Sequence, residues 1–239
     1  MTVELEQKNR QDIYEYVDEH DRVEYEKART ELGFDPTQFG HHVTILKRDG
    51  LVQEDHGTLI AGFEGGSEEE FTEGDVSFAI RPARHSDLSG IVGVIREAVG
   101  GGQDVVAENI ADILDHQQVL YPYQEVQSRV FFVAIVDGDV VGWANITHPE
   151  LEKLSHTAEL TVGVLSEYRR HGIGSQLLKR GLEWAGTEGY ERIYNSLPST
   201  NEEAILFLEK HGWEVEATRE DHYCIDGEYV DEVMMAVTL

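Results

Sequence analysis

One stretch constrains this chain more than any other. Arg169-Arg170-His171-Gly172-Ile173-Gly174-Ser175 stands between a strand-like run and a helix-like run. Upstream, AELTVGV ends at Val164 with the β-branched residues and alternation of a strand. Downstream, SQLLKRGLEWAG sets Leu177, Leu178, Leu182 and Ala185 at helical spacing. A strand, a glycine loop and a helix start make an anion site. The glycines let the backbone come close, and the first helical N–H groups have no partner in the helix. Phosphate is the natural guest, and Arg169 and Arg170 add positive charge. No Gly-Lys-Ser/Thr follows, so this is not a Walker loop. The third glycine of a dinucleotide fingerprint is replaced by Leu177. The alternative is a plain β–α turn with a basic edge; the spacing R-x-x-G-x-G after a strand favours the anion site.

The basic loop stands out because the chain is acidic. Its 47 Asp and Glu face 19 Lys and Arg, for a formal net charge of -28. Such an excess repels itself at low salt, and molar salt relieves the repulsion by shortening the Debye length. A salt-rich cytoplasm is therefore expected. The charge also disfavours general nucleic-acid or anionic-membrane binding. Cys224 is the single cysteine, which excludes an internal disulfide and a multi-cysteine zinc site. It reads as a small apolar filler in a strand. No secretory apolar segment and no apolar run of about 18 residues is present, so a soluble cytoplasmic protein is expected.

A chain of 239 residues makes one large or two small domains. Residues 1–75 and 76–239 read differently, with EGGSEEEFTEGD between them as a linker. In the first region Ile13, Tyr16 and Val17 mark one helix, and Val23, Tyr25, Ala28 and Leu32 a second. A third starts at Asp35-Pro36, an N-cap followed by proline at the first helical position, and runs through Phe39, Val43 and Leu46. LVQEDHGTLIAGF then reads as a hairpin turning at Asp55-His56-Gly57. Three helices and a hairpin resemble a small winged-helix domain. His41, His42, Lys47 and Arg48 would face DNA, yet the region holds 7 basic against 20 acidic residues. A DNA footprint needs a basic face, so a protein-contact or dimerisation module, including a homodimer contact, is the favoured reading. Adjacent His41 and His42 point different ways on a helix, which argues against a metal site there; no metal is expected.

The second region opens with the strand VSFAIRP, and Ser86 or Asp87 is a candidate N-cap. Helices over 87–99 and about 103–119 follow, separated by Gly100-Gly101-Gly102. Two strands meet at Asp137-Gly138, a hairpin signal. Then come a strand over 158–164, the glycine loop, a helix to about 187, a strand over 191–197 and a helix over 201–211. Strands over 213–222 and 229–238 close the chain, with Gly227 in their turn.

This order, with VGVLSEYRRHGIGSQLL and SLPSTNEEAILFLEKHGW in these places, resembles the GNAT superfamily of acyl-CoA-dependent N-acyltransferases. IRPARHSDL and DGEYVDEVMMA also look like that family, and the resemblance covers roughly 76–239. It implies an α+β (mixed α/β) fold, a central mixed, mostly antiparallel sheet flanked by helices. It implies acetyl-CoA as co-substrate. The diphosphate would lie on Arg169, Arg170, His171, Gly172, Ile173, Gly174 and Ser175, and the pantetheine amides on Val162, Gly163 and Val164. Asn201 would stand near the pantetheine arm; Thr200 or Asn201 also fits a helix cap, with Glu203 completing a capping box.

An amine must lose a proton before it attacks a thioester, so a base is needed. Glu159 matches the glutamate of the protein-lysine acetyltransferase branch; otherwise it is one more acid on a half-exposed strand. The tyrosine that many members use as general acid is replaced by Leu208. Tyr223 is a substitute acid or, alternatively, a core or rim aromatic. Ser196 stands where amino-terminal acetyltransferases of ribosomal proteins tend to carry glutamate. The resemblance thus implies acetyl transfer to a primary amine, with a protein lysine side chain ahead of a small-molecule amine. An acetyl-CoA-sensing winged-helix regulator of transcription is the competing class.

Overall fold

The computed structural model describes residues 2–20, 22–48, 51–61, 68–99, 110, 129–149 and 151–239. The triple glycine and, apart from Ile110, the helix expected over 103–119 lie outside them.

The amino-terminal elements are α1 (Thr2–Glu19), β1 (Arg22–Glu24), α2 (Tyr25–Glu31), α3 (Pro36–Arg48), β2 (Val52–Asp55) and β3 (Thr58–Ala61). The strands form an antiparallel sheet in the order β1-β3-β2. Asp35 caps α3: its Oδ1 accepts from the N–H groups of Thr37 at 2.9 Å and Gln38 at 3.1 Å. His56 and Gly57 hold φ of 48° and 82°, the signs that a tight hairpin turn requires. Ile13, Val17, Ala28, Phe39, Val43 and Leu59 bury into one core. Val23, assigned from sequence to the second helix, instead pairs with Leu59 in β1. Its exposed–buried–exposed setting is a strand's alternation.

The remaining elements are β4 (Glu69–Glu73), β5 (Val76–Pro82), α4 (Leu88–Val99), β6 (Arg129–Val136), β7 (Asp139–Thr147), β8 (Thr157–Val164), α5 (Ile173–Thr187), β9 (Arg192–Pro198), α6 (Glu202–Lys210), β10 (Glu214–Ile225) and β11 (Glu228–Thr238). The eight strands lie in the order β10-β11-β9-β8-β7-β6-β5-β4. Among the described strands only β8 and β9 run parallel, because α5 carries the chain back over the sheet between them. The sheet is mixed, mostly antiparallel and flanked by helices, as expected.

Helix α5 buries Ile173, Leu177, Leu178, Trp184 and Ala185 along one face. Leu177 and Leu178, at 0% and 1% exposure, each contribute about 2 kcal/mol by leaving water. Its Gly181 lies against Leu160 of β8 and Ile146 of β7, a register pair. Strand alternation therefore turns Glu159, Thr161 and Gly163 to the opposite face, beside Thr147, Asn145 and Trp143.

Four local readings change. The acidic segment assigned as linker contains β4, whose Phe71 stacks on Phe78 with ring centroids 5.3 Å apart. Phe71 packs this otherwise charged edge strand, and its Glu69 pairs with Arg180 of α5. Cys224 is exposed, since β10 is an edge strand with little cover on either face. Asp87 does not open α4 as a cap; it takes Arg81 at 2.6 Å and the Arg84 N–H at 2.7 Å. Glu203 completes no capping box, because it faces the arginine pair described below.

Candidate functional site

The parallel ladder between β8 and β9 holds only three pairs, Thr157 with Arg192, Ala158 with Ile193 and Glu159 with Tyr194. Beyond them β8 stays on β7 up to Val164, and β9 stays on β11 up to Pro198. The two strands part, and one edge of Leu160–Val164 loses its strand neighbour. Asn195 bridges the start of the gap, its Nδ2 donating to the Leu160 carbonyl at 2.5 Å. It occupies the inward phase between Ile193 and Leu197, where an apolar residue would be expected. Sequence reasoning missed it; an asparagine in phase with Ile193 and Leu197 was the available signal.

A cleft of about 410 Å³ opens where the strands part. Of the residues singled out from sequence, Val162, Gly163, Val164, Arg169, Arg170, Gly172, Gly174, Ser175 and Asn201 line it. Ile173 turns into the core at 1% exposure, as the first apolar residue of the helix must. His171 is half-buried and is not among the lining residues. Ala98, Trp143, Glu203, Ala204 and Phe207 complete the walls.

The loop is shaped to present main-chain donors. Arg170 and Gly172 both adopt left-handed backbone, φ 69° and 72°, and Gly172 is the residue that precedes α5. The first turn closes when Gln176 N–H donates to the Gly172 carbonyl at 3.0 Å. The N–H groups of Ile173, Gly174 and Ser175 precede that bond and have no intrahelical acceptor. They sit at the positive end of the helix dipole. Arg169 Nε donates to the Val164 carbonyl at 3.1 Å. Arg169 and Arg170 also share Glu203, at 3.3 and 3.1 Å. These pairs are exposed and worth little, so an arriving phosphate can take the guanidinium groups over.

Asn201 is both cap and wall: its Oδ1 accepts from the Ala204 N–H at 3.3 Å, and it lines the cleft. Gly163 sits over the Trp143 ring, where a Cβ would come within 2.0 Å of a ring carbon. The absence of a side chain keeps the β8 main chain open to a ligand while Trp143 forms the floor.

Glu159 is exposed and outside the cleft lining. It stands at the last parallel pair, on the same sheet face as Gly163, roughly 13 Å away along the strand. Arg129, Thr147 and Glu159 form one row across β6, β7 and β8. Burial pushes the Arg129 guanidinium below its ordinary range, and the Glu159 charge opposes that. Tyr223 does not line the cleft, and its hydroxyl donates to Glu232 Oε1 at 3.1 Å. Glu232 is buried and also holds Arg219 at 2.9 Å. The Tyr223 proton is thus directed at a carboxylate, an arrangement that suits a wall residue better than a thiolate acid. Leu208 is buried. Among the described residues, no three His, Cys, Asp or Glu side chains are grouped to hold a metal ion, and no helix is long and apolar enough to cross a membrane.

Known proteins share this architecture. The sequence pattern of the Acetyltransferase (GNAT) family matches residues 106–213. An N-alpha-acetyltransferase of Sulfurisphaera tokodaii is 33% identical over 181 residues, 68% of this chain and 93% of that protein. The L-amino acid N-acetyltransferase AaaT of Escherichia coli is 33% identical over 105 residues. That alignment spans 44% of this chain and 65% of AaaT, just under two thirds of its length. Among solved structures, the acetyltransferase yncA of Salmonella typhimurium, with its cofactor acetyl-CoA, superposes with a TM-score of 0.56 at 21% identity. It covers 68% of this chain and 94% of yncA.

Proposed function

Since the chain belongs to the acetyltransferase (GNAT) family, we propose that it transfers an acetyl group from acetyl-CoA to a primary amine by direct attack on the thioester. One observation carries this most: a glycine loop and helix start open into a cleft along a strand edge that has lost its neighbour. A long anionic cofactor needs phosphate donors at one end and strand-like amide partners along its middle. Arg169, Arg170 and the α5 amino terminus supply the first; Val162, Gly163 and Val164 supply the second. Main-chain N–H groups of this edge would also meet the developing oxyanion. The residues fit acetyl-CoA, which supplies the activated thioester.

Glu159 is the proposed base, drawing the ammonium proton through water before attack. Tyr223, bonded to Glu232, is a weaker candidate for the acid, and a thiolate that leaves with a pKa of about 8.5 needs little help. The base position favours a protein lysine side chain. The names of the relatives, which act on amino acids and on N-alpha amines, favour an α-amine as the second reading. Free CoA release, measured against lysine peptides, free amino termini, amino acids and polyamines, tests both. Release with none of them would overturn the proposal.

We also propose that residues 1–75 contact a protein partner. The order helix, strand, helix, helix, strand, strand supports the winged-helix reading. Lys47, Arg29 and Arg22 lie on Glu54, Glu26 and Asp55, which works against a DNA-facing surface.

A further inference from the structure

Ser175 lines the cleft at the start of α5, and its hydroxyl is not alone. His211, just after α6, places Nε2 at 3.0 Å from Ser175 Oγ. The same ring is fixed from behind, with Nδ1 at 2.8 Å from the Phe207 carbonyl oxygen. Phe207 lies against the imidazole, ring centroids 4.4 Å apart, and itself lines the cleft. A carbonyl only accepts, so Nδ1 carries the hydrogen in either charge state. In the neutral ring Nε2 then holds a lone pair, and the Ser175 hydroxyl donates to it. Oγ shows the cleft only lone pairs, which a phosphate oxygen cannot use.

Protonation reverses that bond. When Nε2 takes one proton from solvent, its N–H donates to Ser175 Oγ, and the hydroxyl hydrogen turns to the cleft. A phosphate oxygen gains a donor, and the loop gains a positive charge. The reversal needs one proton on Nε2 and no change in the ring's partners. The other charged groups on the surrounding elements are Lys179, Arg180 and Glu183 on α5, Glu202, Glu203, Glu209 and Lys210 on α6, Arg169, Arg170 and His171 in the loop, and Glu73 of β4 against Gly172. Only His211 has both ring nitrogens committed, one to the main chain and one to a cleft hydroxyl.

We propose that His211 is a positioning residue that steers the Ser175 hydroxyl and couples capture of the cofactor's diphosphate to the uptake of one proton. This rests on the acetyl-CoA reading of the cleft. No bond to the cofactor forms or breaks; the proton comes from buffer and stays on Nε2 while the diphosphate is bound.

The test is calorimetric titration of the full chain with acetyl-CoA and with dephospho-CoA, in buffers of different ionisation enthalpy. Dephospho-CoA lacks the phosphate monoester, whose own second ionisation near pH 6 would add linkage. The expected result is net proton uptake with dephospho-CoA and about tenfold tighter binding at pH 6 than at pH 8. His211→Gln and Ser175→Ala should each abolish the uptake and flatten the pH dependence. Thermal melts establish that both are folded, and Ser175→Ala removes a single oxygen. Uptake that persists in both variants, or is missing in the wild type, overturns the inference and leaves the cofactor site standing. Binding of acetyl-CoA but not dephospho-CoA overturns it as well, since the diphosphate would then not be held here. Failure to bind acetyl-CoA at all brings down the proposed function itself.

Discussion

The two ends of β8 are built in opposite ways. The proposed cofactor end is local: Val162, Gly163, Val164, Arg169, Arg170, Gly172, Gly174 and Ser175 line the cleft from one short segment. The proposed acceptor end is side chain and non-local. Glu159 there keeps company with Arg129 from β6, Thr147 from β7 and Tyr194 from β9. The first kind of site depends mainly on where the backbone lies, with the bare Gly163 position, the two arginines and the Ser175 hydroxyl as its side-chain requirements. The second is defined by what several strands bring to one face. A common cofactor and a particular amine call for these two designs.

Perturbing one end while watching the other breaks or sharpens the contrast. The largest effect is expected from Glu159→Gln. Turnover should fall by about 100-fold or more and the acid limb of the pH profile should vanish. Acetyl-CoA affinity, measured by calorimetry, should stay nearly constant. Unchanged turnover would remove Glu159 from the mechanism. Next is Gly163→Ala, which drives a methyl group into the Trp143 ring. Overpacking of this kind costs about 1–3 kcal/mol, visible as a lower melting temperature. Adding Trp143→Leu should recover part of the loss in a double-mutant cycle; strict additivity would mean that the ring is not the obstacle.

Smaller effects come from charge. Glu203→Gln releases Arg169 and Arg170 from their shared carboxylate and should tighten acetyl-CoA binding by a few-fold, about 0.5–1 kcal/mol. Weaker binding would mean that Glu203 organises the arginines rather than competing for them. The net charge of -28 leads us to expect melting temperatures that climb from low to multimolar KCl; a flat series would refute salt adaptation. Smallest of all, removing residues 1–67 should raise KM for a protein substrate and leave acetyl-CoA affinity untouched. The cut must spare β4, which a cut at residue 75 would remove from the sheet edge.

The same contrast explains what was legible in the sequence. The loop, the three glycine-bearing hairpins and the Asp35 cap were readable because short-range geometry fixes them. So was the buried stripe of α5. β4 was hidden because three of its five residues are acids, and the Phe71 packing and the Glu69 pair with Arg180 exist only in space. The splay of β8 from β9 could not be read, since no local residue type encodes where two distant strands stop pairing. Asn195 marks it only once its partner Leu160 is known. Glu203 looked like a capping acid because its helix is adjacent in sequence, whereas its arginines are adjacent in space. Tyr223 was placed on the right strands, but its bond to Glu232 depends on the register of a twisted hairpin with irregular pairing.

The most direct test of the central claim is a structure of the chain with acetyl-CoA. The diphosphate should rest on the α5 amino terminus and the pantetheine should run along Val162 to Val164. The thioester should then lie near Gly163, with Glu159 reachable through water from the acceptor position. A cofactor bound elsewhere, or a thioester separated from Glu159 by the sheet, would contradict it.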